Sequence, residues 1–458
     1  MIPAFIYEEE NQLKNIFNRL KKKDFSGNTG QAIKNSSFQL ATNLIAKIGS
    51  LLFIVLLARL LMPELFGLYS LALSTIVIFA TFSDLGIGNT LITFVSKNLG
   101  IKNEMKAKAY FSQLFKWKLL LTLIVSLLLL SLSYFIANFY YNKPIFYALL
   151  AGVIYIPLST LVGILTNLFM SANLFRYPFY KEILFQTLRF IFVPLGALLL
   201  LHFSITDQSF IGAIILILSF CYAISLIFLF GLSKKKLSFL KQKRSSLTNQ
   251  EKKDLFIFLW PLTAMVLSGI FFGYIDTIML GHFVEEGSFI AYYSAAFSLI
   301  GAAVTIISFT GNAVLPIFAR LKGKLLEGNF RKIRIITLFI GIVAAIFTYF
   351  ISKYLILLIY GSAYENSILI LQIFSTLLVI TPLATLYNNY FISQGRTKIL
   401  AILLVSTTLL NIVLNYYFIT SGLQISMYSA VLGACTATII SRFVHLLCLG
   451  FAKRLIIK

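Results

Sequence analysis

Twelve long apolar stretches, divided by short polar segments, decide what this chain of 458 residues can fold into. They cover residues 37–61, 66–93, 117–140, 144–170, 178–202, 209–231, 255–282, 289–318, 335–360, 366–393, 398–420 and 427–450. A helix needs about 20 such residues to cross the hydrocarbon of a bilayer, and each stretch supplies them. The runs are too long and too continuously apolar for barrel strands, which predicts an all-α integral membrane protein with about twelve transmembrane helices. Composition agrees: 12% of residues are charged, against about 25% in a soluble domain. Cys221, Cys435 and Cys448 lie inside apolar runs without metal-ligand or disulfide spacing, so neither kind of site is expected. The first 36 residues hold acids and three consecutive lysines but no apolar core of signal-peptide length, and no cleavable leader is expected.

The 39 Lys and Arg against 16 Asp and Glu give a net charge of +23, which in a soluble protein would suggest nucleic acid. Their positions give another reading. All but six basic residues fall within 1–36, 94–118, 171–181, 232–254, 319–334, 394–398 and 451–458, segments that alternate onto one face of a twelve-helix array. Arg59, Lys143 and Lys353 lie toward the other face, and Lys47, Arg189 and Arg442 lie within spans. By the positive-inside rule both termini are then cytoplasmic and no nucleic-acid partner is called for. Attraction to anionic membrane lipid follows as a side effect. The opposite loops are short and hold Glu64, Asp207, Glu285, Glu286 and Glu365. Within 8–23, Leu13, Ile16, Phe17 and Leu20 fall at helical spacing among lysines and arginine, which fits either an interfacial amphipathic helix or a solvated basic tail.

The longest internal loop, 232–254, is basic and divides the helices six and six. It separates an N-lobe over 37–231 from a C-lobe over 255–450, with a tail at 451–458. The segment Gly67-Leu68-Tyr69-Ser70-Leu71-Ala72 matches Ala291-Tyr292-Tyr293-Ser294-Ala295-Ala296, each opening the second helix of its half. Two halves with an even number of helices insert the same way round, so the expected pseudo-two-fold axis runs along the membrane normal. Transporters built from two such bundles bind substrate between them and alternate access.

The stretch Leu57-Ala58-Arg59-Leu60-Leu61-Met62-Pro63-Glu64-Leu65-Phe66-Gly67-Leu68-Tyr69-Ser70, followed by Ser83-Asp84-Leu85-Gly86-Ile87-Gly88-Asn89, resembles the opening of bacterial polysaccharide flippases of the O-antigen type. These belong to the multidrug/oligosaccharidyl-lipid/polysaccharide (MOP) exporter superfamily. In the second half, Tyr274-Ile275-Asp276-Thr277-Ile278-Met279-Leu280-Gly281, the Ala291–Ala296 segment and Leu315-Pro316 resemble the family's seventh and eighth helices. The resemblance covers about 37–450. It implies two six-helix bundles in a V around a central cavity. It also implies a bacterial inner-membrane transporter that moves an undecaprenyl-diphosphate-linked oligosaccharide, such as an O-antigen, lipopolysaccharide or capsule repeat unit, to the outer leaflet. Polysaccharide polymerase machinery is the protein partner this implies.

Charged groups at membrane depth cost about 2.5–3.5 kcal/mol each on the lenient scale, so each calls for an explanation. Lys47, flanked by Asn43, is expected to face a cavity and attract the lipid diphosphate; the alternative is a lysine satisfied by helix carbonyls or a neighbouring acid. Arg189 fits the same role by bidentate contact, or else pairs with Glu182 or Asp84. Arg442, near His445, is a further candidate for substrate contact, and Arg59 reads as an interfacial anchor. Asp276 either binds a coupling Na⁺ or proton or forms a salt bridge to a cavity base. Asp84, just before Leu85-Gly86-Ile87-Gly88, either caps a turn or binds an ion. His202, His282 and His445 read as interfacial, and Asn388, Asn389, Asn411 and Asn415 either line a sugar path or bond across helices. No cofactor other than a coupling ion is expected. Two rivals remain: a multidrug or cation exporter of the same superfamily, which needs cavity acids, and a membrane polymerase or glycosyltransferase, which needs a large outer or acid-rich loop.

Overall fold

Helices follow the apolar runs because hydrocarbon leaves backbone N–H and C=O groups no partner but each other. The computed structural model describes residues 27–203, 206–243, 245–313, 318, 321 and 323–457. Among the described residues it forms thirteen α-helices and no strand. In the first half these are α1 (Gly27–Phe82), α2 (Ile87–Gly100), α3 (Glu104–Phe135), α4 (Phe146–Ser171), α5 (Arg176–His202) and α6 (Asp207–Lys236). The second half holds α7 (Asn249–Phe283), α8 (Gly287–Ala313), α9 (Gly323–Ile359), α10 (Ser367–Phe374), α11 (Leu377–Ser393), α12 (Thr397–Leu423) and α13 (Met427–Ile457). Among the described residues eleven helical segments are long and apolar enough to cross a membrane. The first makes two crossings. Met62 leaves helical geometry at φ 58°, and Pro63 after it has no N–H to continue the ladder. Residues 47–54 and 66–74, on either side of this break, line the same cavity, so the chain doubles back there.

Several boundaries differ from those the hydropathy predicts. The second span ends at Phe82 instead of residue 93, because Leu85 (φ 41°) and Gly86 (φ 80°) turn the chain before α2 begins. The tenth span breaks between α10 and α11. The third begins at Glu104 rather than 117, its first turn capped by the Asn103 side chain accepting from Lys106 N at 3.1 Å. The predicted loop 232–254 shrinks at both ends. α6 runs to Lys236, a short 3₁₀ turn spans Ser238–Lys241, and a reciprocal Thr248/Glu251 capping box starts α7. The candidate amphipathic helix at 8–23, Arg244 and residues 314–317 near the end of the eighth span, Leu315 and Pro316 among them, lie outside the described residues.

Two bundles of six crossings each result, one from α1–α6, in which α1 crosses twice and α2 does not cross, and one from α7–α13, in which α10 and α11 share a crossing, with matching internal contacts. α5 packs on α1 and α6 as α12 packs on α7 and α13, and α3 packs on α4 as α9 packs on α10 and α11. Between the bundles, α1 packs on α8 and α7. The apolar cores show how the bundles meet. At one face, which lacks the basic loops, a single core joins Leu57, Leu61 and Tyr69 of the first bundle to Ile290, Ala291 and Tyr364 of the second. At the basic face there are two cores. One holds α2, the starts of α3 and α5, and Leu255 and Leu259 of α7; the other holds Phe318, Phe330, Leu386 and Leu449, with Met265 of α7 against it. The bundles are therefore joined at the opposite face and parted at the basic face. α7 passes from one core to the other around Pro261.

Candidate functional site

The parting encloses a cavity of about 390 Å³ between α1, α5, α7 and α8. Its polar wall carries Lys47 and Arg189 and no acid among the described residues. Hydroxyls from Ser50, Ser70, Ser74, Thr277, Ser294 and Ser298 alternate with rings of Phe53, Phe66, Tyr69, Tyr274 and Phe297. Helical periodicity places these groups together: Lys47, Ser50, Leu51 and Ile54 recur every three or four residues along α1, as do Ser294, Phe297, Ser298 and Gly301 along α8. Such a wall offers cationic donors, hydroxyls and flat faces, a combination suited to phosphate and sugar.

Arg189 is held by a neutral relay. Its Nη2 donates to Gln186 Oε1 at 2.6 Å, Gln186 Nε2 donates to Glu182 Oε1 at 2.7 Å, and Lys181 Nζ binds Glu182 Oε2 at 2.7 Å. The guanidinium lies 4.1 Å over the Phe53 ring and 5.4 Å from that of Phe185. Its Nε is buried without a partner among the described residues. The direct pair with Glu182 is replaced by the amide of Gln186, and Asp84 is elsewhere. Gly49 makes room for this relay, since a Cβ there would lie 2.7 Å from Gln186 Oε1. Among the described residues Lys47 has no carboxylate partner, so both cavity cations keep their charge for a ligand.

The other predicted residues are dispersed. Asn43 is exposed on α1 and does not line the cavity. Asp84 sits in the turn after α1, where its backbone carbonyl accepts from Ile87 N at 2.7 Å and its carboxylate pairs with the buried Lys118. In the sequence that lysine stands at the boundary of the basic segment 94–118 and the span 117–140, and because α3 begins at Glu104 it lies about four turns into the helix. Asp276 is 2% exposed and lies behind the cavity wall, accepting from Tyr293 Oη and Asn415 Nδ2 at 2.5 Å each and from Thr438 Oγ1. It forms no salt bridge among the described residues, which corrects that alternative. Arg442 also stands behind the wall, donating to Phe272 O at 3.3 Å with its guanidinium 4.8 Å from Phe272 and 5.7 Å from Phe297. His445, expected at the interface, is buried and bonded to Thr407 Oγ1 at 3.0 Å. Asn411 and Asn415 bond across helices, to Ser441 and Asp276.

Residues that read as loop or anchor positions close the opposite face. The Glu64 carboxylate accepts from Gly287 N at 2.9 Å and Ser288 N at 2.7 Å, capping the start of α8 from the other bundle. Lys143 Nζ donates to Val284 O at 2.7 Å at the end of α7, and Arg59 donates to Leu358 O and Ile359 O at the end of α9. An acid at a helix start and cations at helix ends are the favoured placements for the helix dipole. Gly67 lies so near α8 that a Cβ would sit 1.8 Å from Gly287 O. In the sequence, the internal repeat around Gly67 and Ala291 marks this contact, because residues related by a two-fold meet near its axis.

The sequence model of a family described as "Polysaccharide biosynthesis protein" matches residues 32–322, and that of MatE matches 261–417. No curated protein sequence matches the chain. Among solved structures it is similar to the lipid II flippase MurJ in an inward closed conformation, with a TM-score of 0.67 and 18% identity over 91% of this chain and 87% of that one. It is also similar to an inward-facing multidrug resistance MATE family transporter of the MOP superfamily, with a TM-score of 0.64 and 15% identity over 90% and 94%. A eukaryotic MATE transporter, AtDTX14, aligns with a TM-score of 0.60 and 14% identity over 93% and 96%. At these identities the likeness is one of fold, and that fold is the two-bundle array expected from the sequence.

Proposed function

Because the chain belongs to the polysaccharide biosynthesis protein family and has the fold of MOP-superfamily transporters, we propose that it is a flippase. Its cargo is an undecaprenyl-diphosphate-linked oligosaccharide, an O-antigen or capsule-type repeat unit, moved across the bacterial inner membrane by alternating access. In this reading the basic face is cytoplasmic, both termini lie there, and polysaccharide polymerase machinery receives the product on the other side. The observation that carries the proposal is the cavity wall, with Lys47 and Arg189 and no acid among the described residues, between two bundles whose cores are separate at the basic face. A diphosphate cannot enter hydrocarbon unaided, and charge-assisted bonds from a lysine and a guanidinium replace its hydration. Cationic drugs would meet repulsion at the same wall, which disfavours the multidrug reading.

An inside-negative potential drives anionic cargo outward by about 2.3 kcal/mol per charge per 100 mV. Returning an empty basic cavity works against the same field. We assign the return step to a Na⁺ or proton at Asp276, whose Tyr293, Asn415 and Thr438 partners come from three further helices of the second bundle. Replacing Asp276 by Asn should abolish the ion dependence of transport; unchanged transport and ion dependence would end this role.

Lipids extracted from cells depleted of the protein test the main proposal. Build-up of an undecaprenyl-diphosphate oligosaccharide on the cytoplasmic leaflet, with loss of the surface polymer, is the expected result. No build-up together with new sensitivity to cationic drugs would favour an exporter.

A further inference from the structure

A second pocket, of about 210 Å³, lies at the basic face between the start of α1 and the turn that joins α4 to α5. Its lining pairs two cations, Lys34 and Arg176, with three amides, Gln31, Asn35 and Asn173, over a floor that includes Phe38 and Phe175. No acid lines it among the described residues. The one acid of α5, Glu182, is already engaged by Lys181 and Gln186. Arg176 is anchored from one side, its Nη2 donating to Tyr177 Oη at 2.9 Å while its guanidinium lies 4.8 Å over the same ring. The remaining guanidinium donors are left for another acceptor.

The pocket sits just outside the apolar run that begins at residue 37, at the depth of lipid headgroups. It holds the volume of about seven water molecules, room for one or two phosphoryl groups and too little for an oligosaccharide. It also lies at the mouth of a seam that leads to the interlobe cavity. Phe38 meets Phe179 edge-on at 5.5 Å, Gly49 faces Gln186, and Phe53 lies under Arg189. Along α5 the residues Arg176, Phe179, Glu182, Gln186 and Arg189 recur every three or four positions and so follow one stripe. The distance along the helix from Arg176 to Arg189 is about 20 Å at 1.5 Å per residue.

We infer that this pocket is a rim site for the phosphoryl group of a membrane lipid, which Lys34 and Arg176 hold at the basic face outside the cavity. The site's occupant in transport is the diphosphate of the lipid-linked cargo, an assignment that rests on the flippase reading. An anionic phospholipid headgroup offers the same chemistry, and the test separates the two.

The purified full chain in nanodiscs would be compared with Lys34→Gln/Arg176→Gln and with the charge-preserving Lys34→Arg/Arg176→Lys by native mass spectrometry. Two probes would be used, undecaprenyl diphosphate and phosphatidylglycerol, with the neutral phosphatidylcholine as reference. The expected result is a tenfold or greater loss of undecaprenyl diphosphate retained by the glutamine variant, with recovery in the charge-preserving one. Loss confined to phosphatidylglycerol would keep the phosphoryl site and give it to phospholipid. Unchanged retention of both probes, with the variant folded and its helicity intact, would overturn the inference. Failure of the flippase reading has a separate signature. In that case Lys47→Gln and Arg189→Gln would leave undecaprenyl diphosphate binding and transport untouched whatever the rim variant does.

Discussion

At the scale of single residues, Arg189 shows how a membrane protein keeps a deep charge available. A direct pair with Glu182 would neutralise the guanidinium, whereas the amide of Gln186 restrains it and leaves the charge. Replacing Gln186 by Glu should create that pair and weaken diphosphate binding about tenfold or more, since a charge-assisted hydrogen bond contributes roughly 1.5–3 kcal/mol. Arg189→Gln should lower binding by a similar factor, and isothermal titration with undecaprenyl diphosphate would check both. If Q186E bound as well as the parent, the neutral relay would have no bearing on affinity. Lys47 and Arg189 were legible in the sequence because a charge inside an apolar run is conspicuous. Gln186 and Gly49 were not, because an amide and a glycine carry no hydropathy signal and their meaning depends on α1 and α5 lying together. Arg442 was equally conspicuous, yet it stands behind Phe297, since hydropathy reports depth and not the direction a side chain faces.

Among the elements, the helix ends at the opposite face govern closure. Glu64→Gln should loosen the start of α8 by about 0.3–1 kcal/mol, the range for a charge at a helix terminus. Gly67→Val should act more strongly by forcing α1 from α8. Spin labels at Asn142 and Glu365 would report both as a longer distance across that face; an unchanged distribution would show that these contacts do not hold it shut. Burial pushes the Lys143 amine below the ordinary lysine value of 10.5, while Glu64 and Glu285 partly offset this. The closed state thus disfavours the proton relative to an open state in which Lys143 is hydrated. Raising pH from that lowered value toward 10.5 should shift the equilibrium toward closure, and Lys143→Met should remove this pH dependence from the same distance measurement. The number and order of crossings could be read from apolar runs alone. The break at Met62 could be read as well, since it falls between the apolar runs 37–61 and 66–93, but those at 83–86 and between α10 and α11 could not, because short turns inside a crossing leave mean hydropathy unchanged.

For the whole molecule, the asymmetry of the cores is the main fact: one shared core at the opposite face and two separate cores at the basic face. If the basic face is cytoplasmic, alkaline phosphatase fused after Lys241 should be inactive and the same enzyme fused after Glu285 active; the reverse pattern would invert the topology and the direction of transport. The segment between α6 and α7 has a consequence for how the chain is made. Its Leu237, Phe239 and Leu247 are buried in the core of the first bundle, and Lys106 bonds Glu251 at 2.7 Å. The first half to leave the ribosome therefore completes its fold with residues that lie beyond its sixth helix, and it holds the start of the seventh before the second half exists. Expressed as two polypeptides, the protein should tolerate a cut after Lys253 better than one after Lys236, because the later cut takes only Leu255 and Leu259 from the first half's core whereas the earlier one takes Leu237, Phe239 and Leu247 as well.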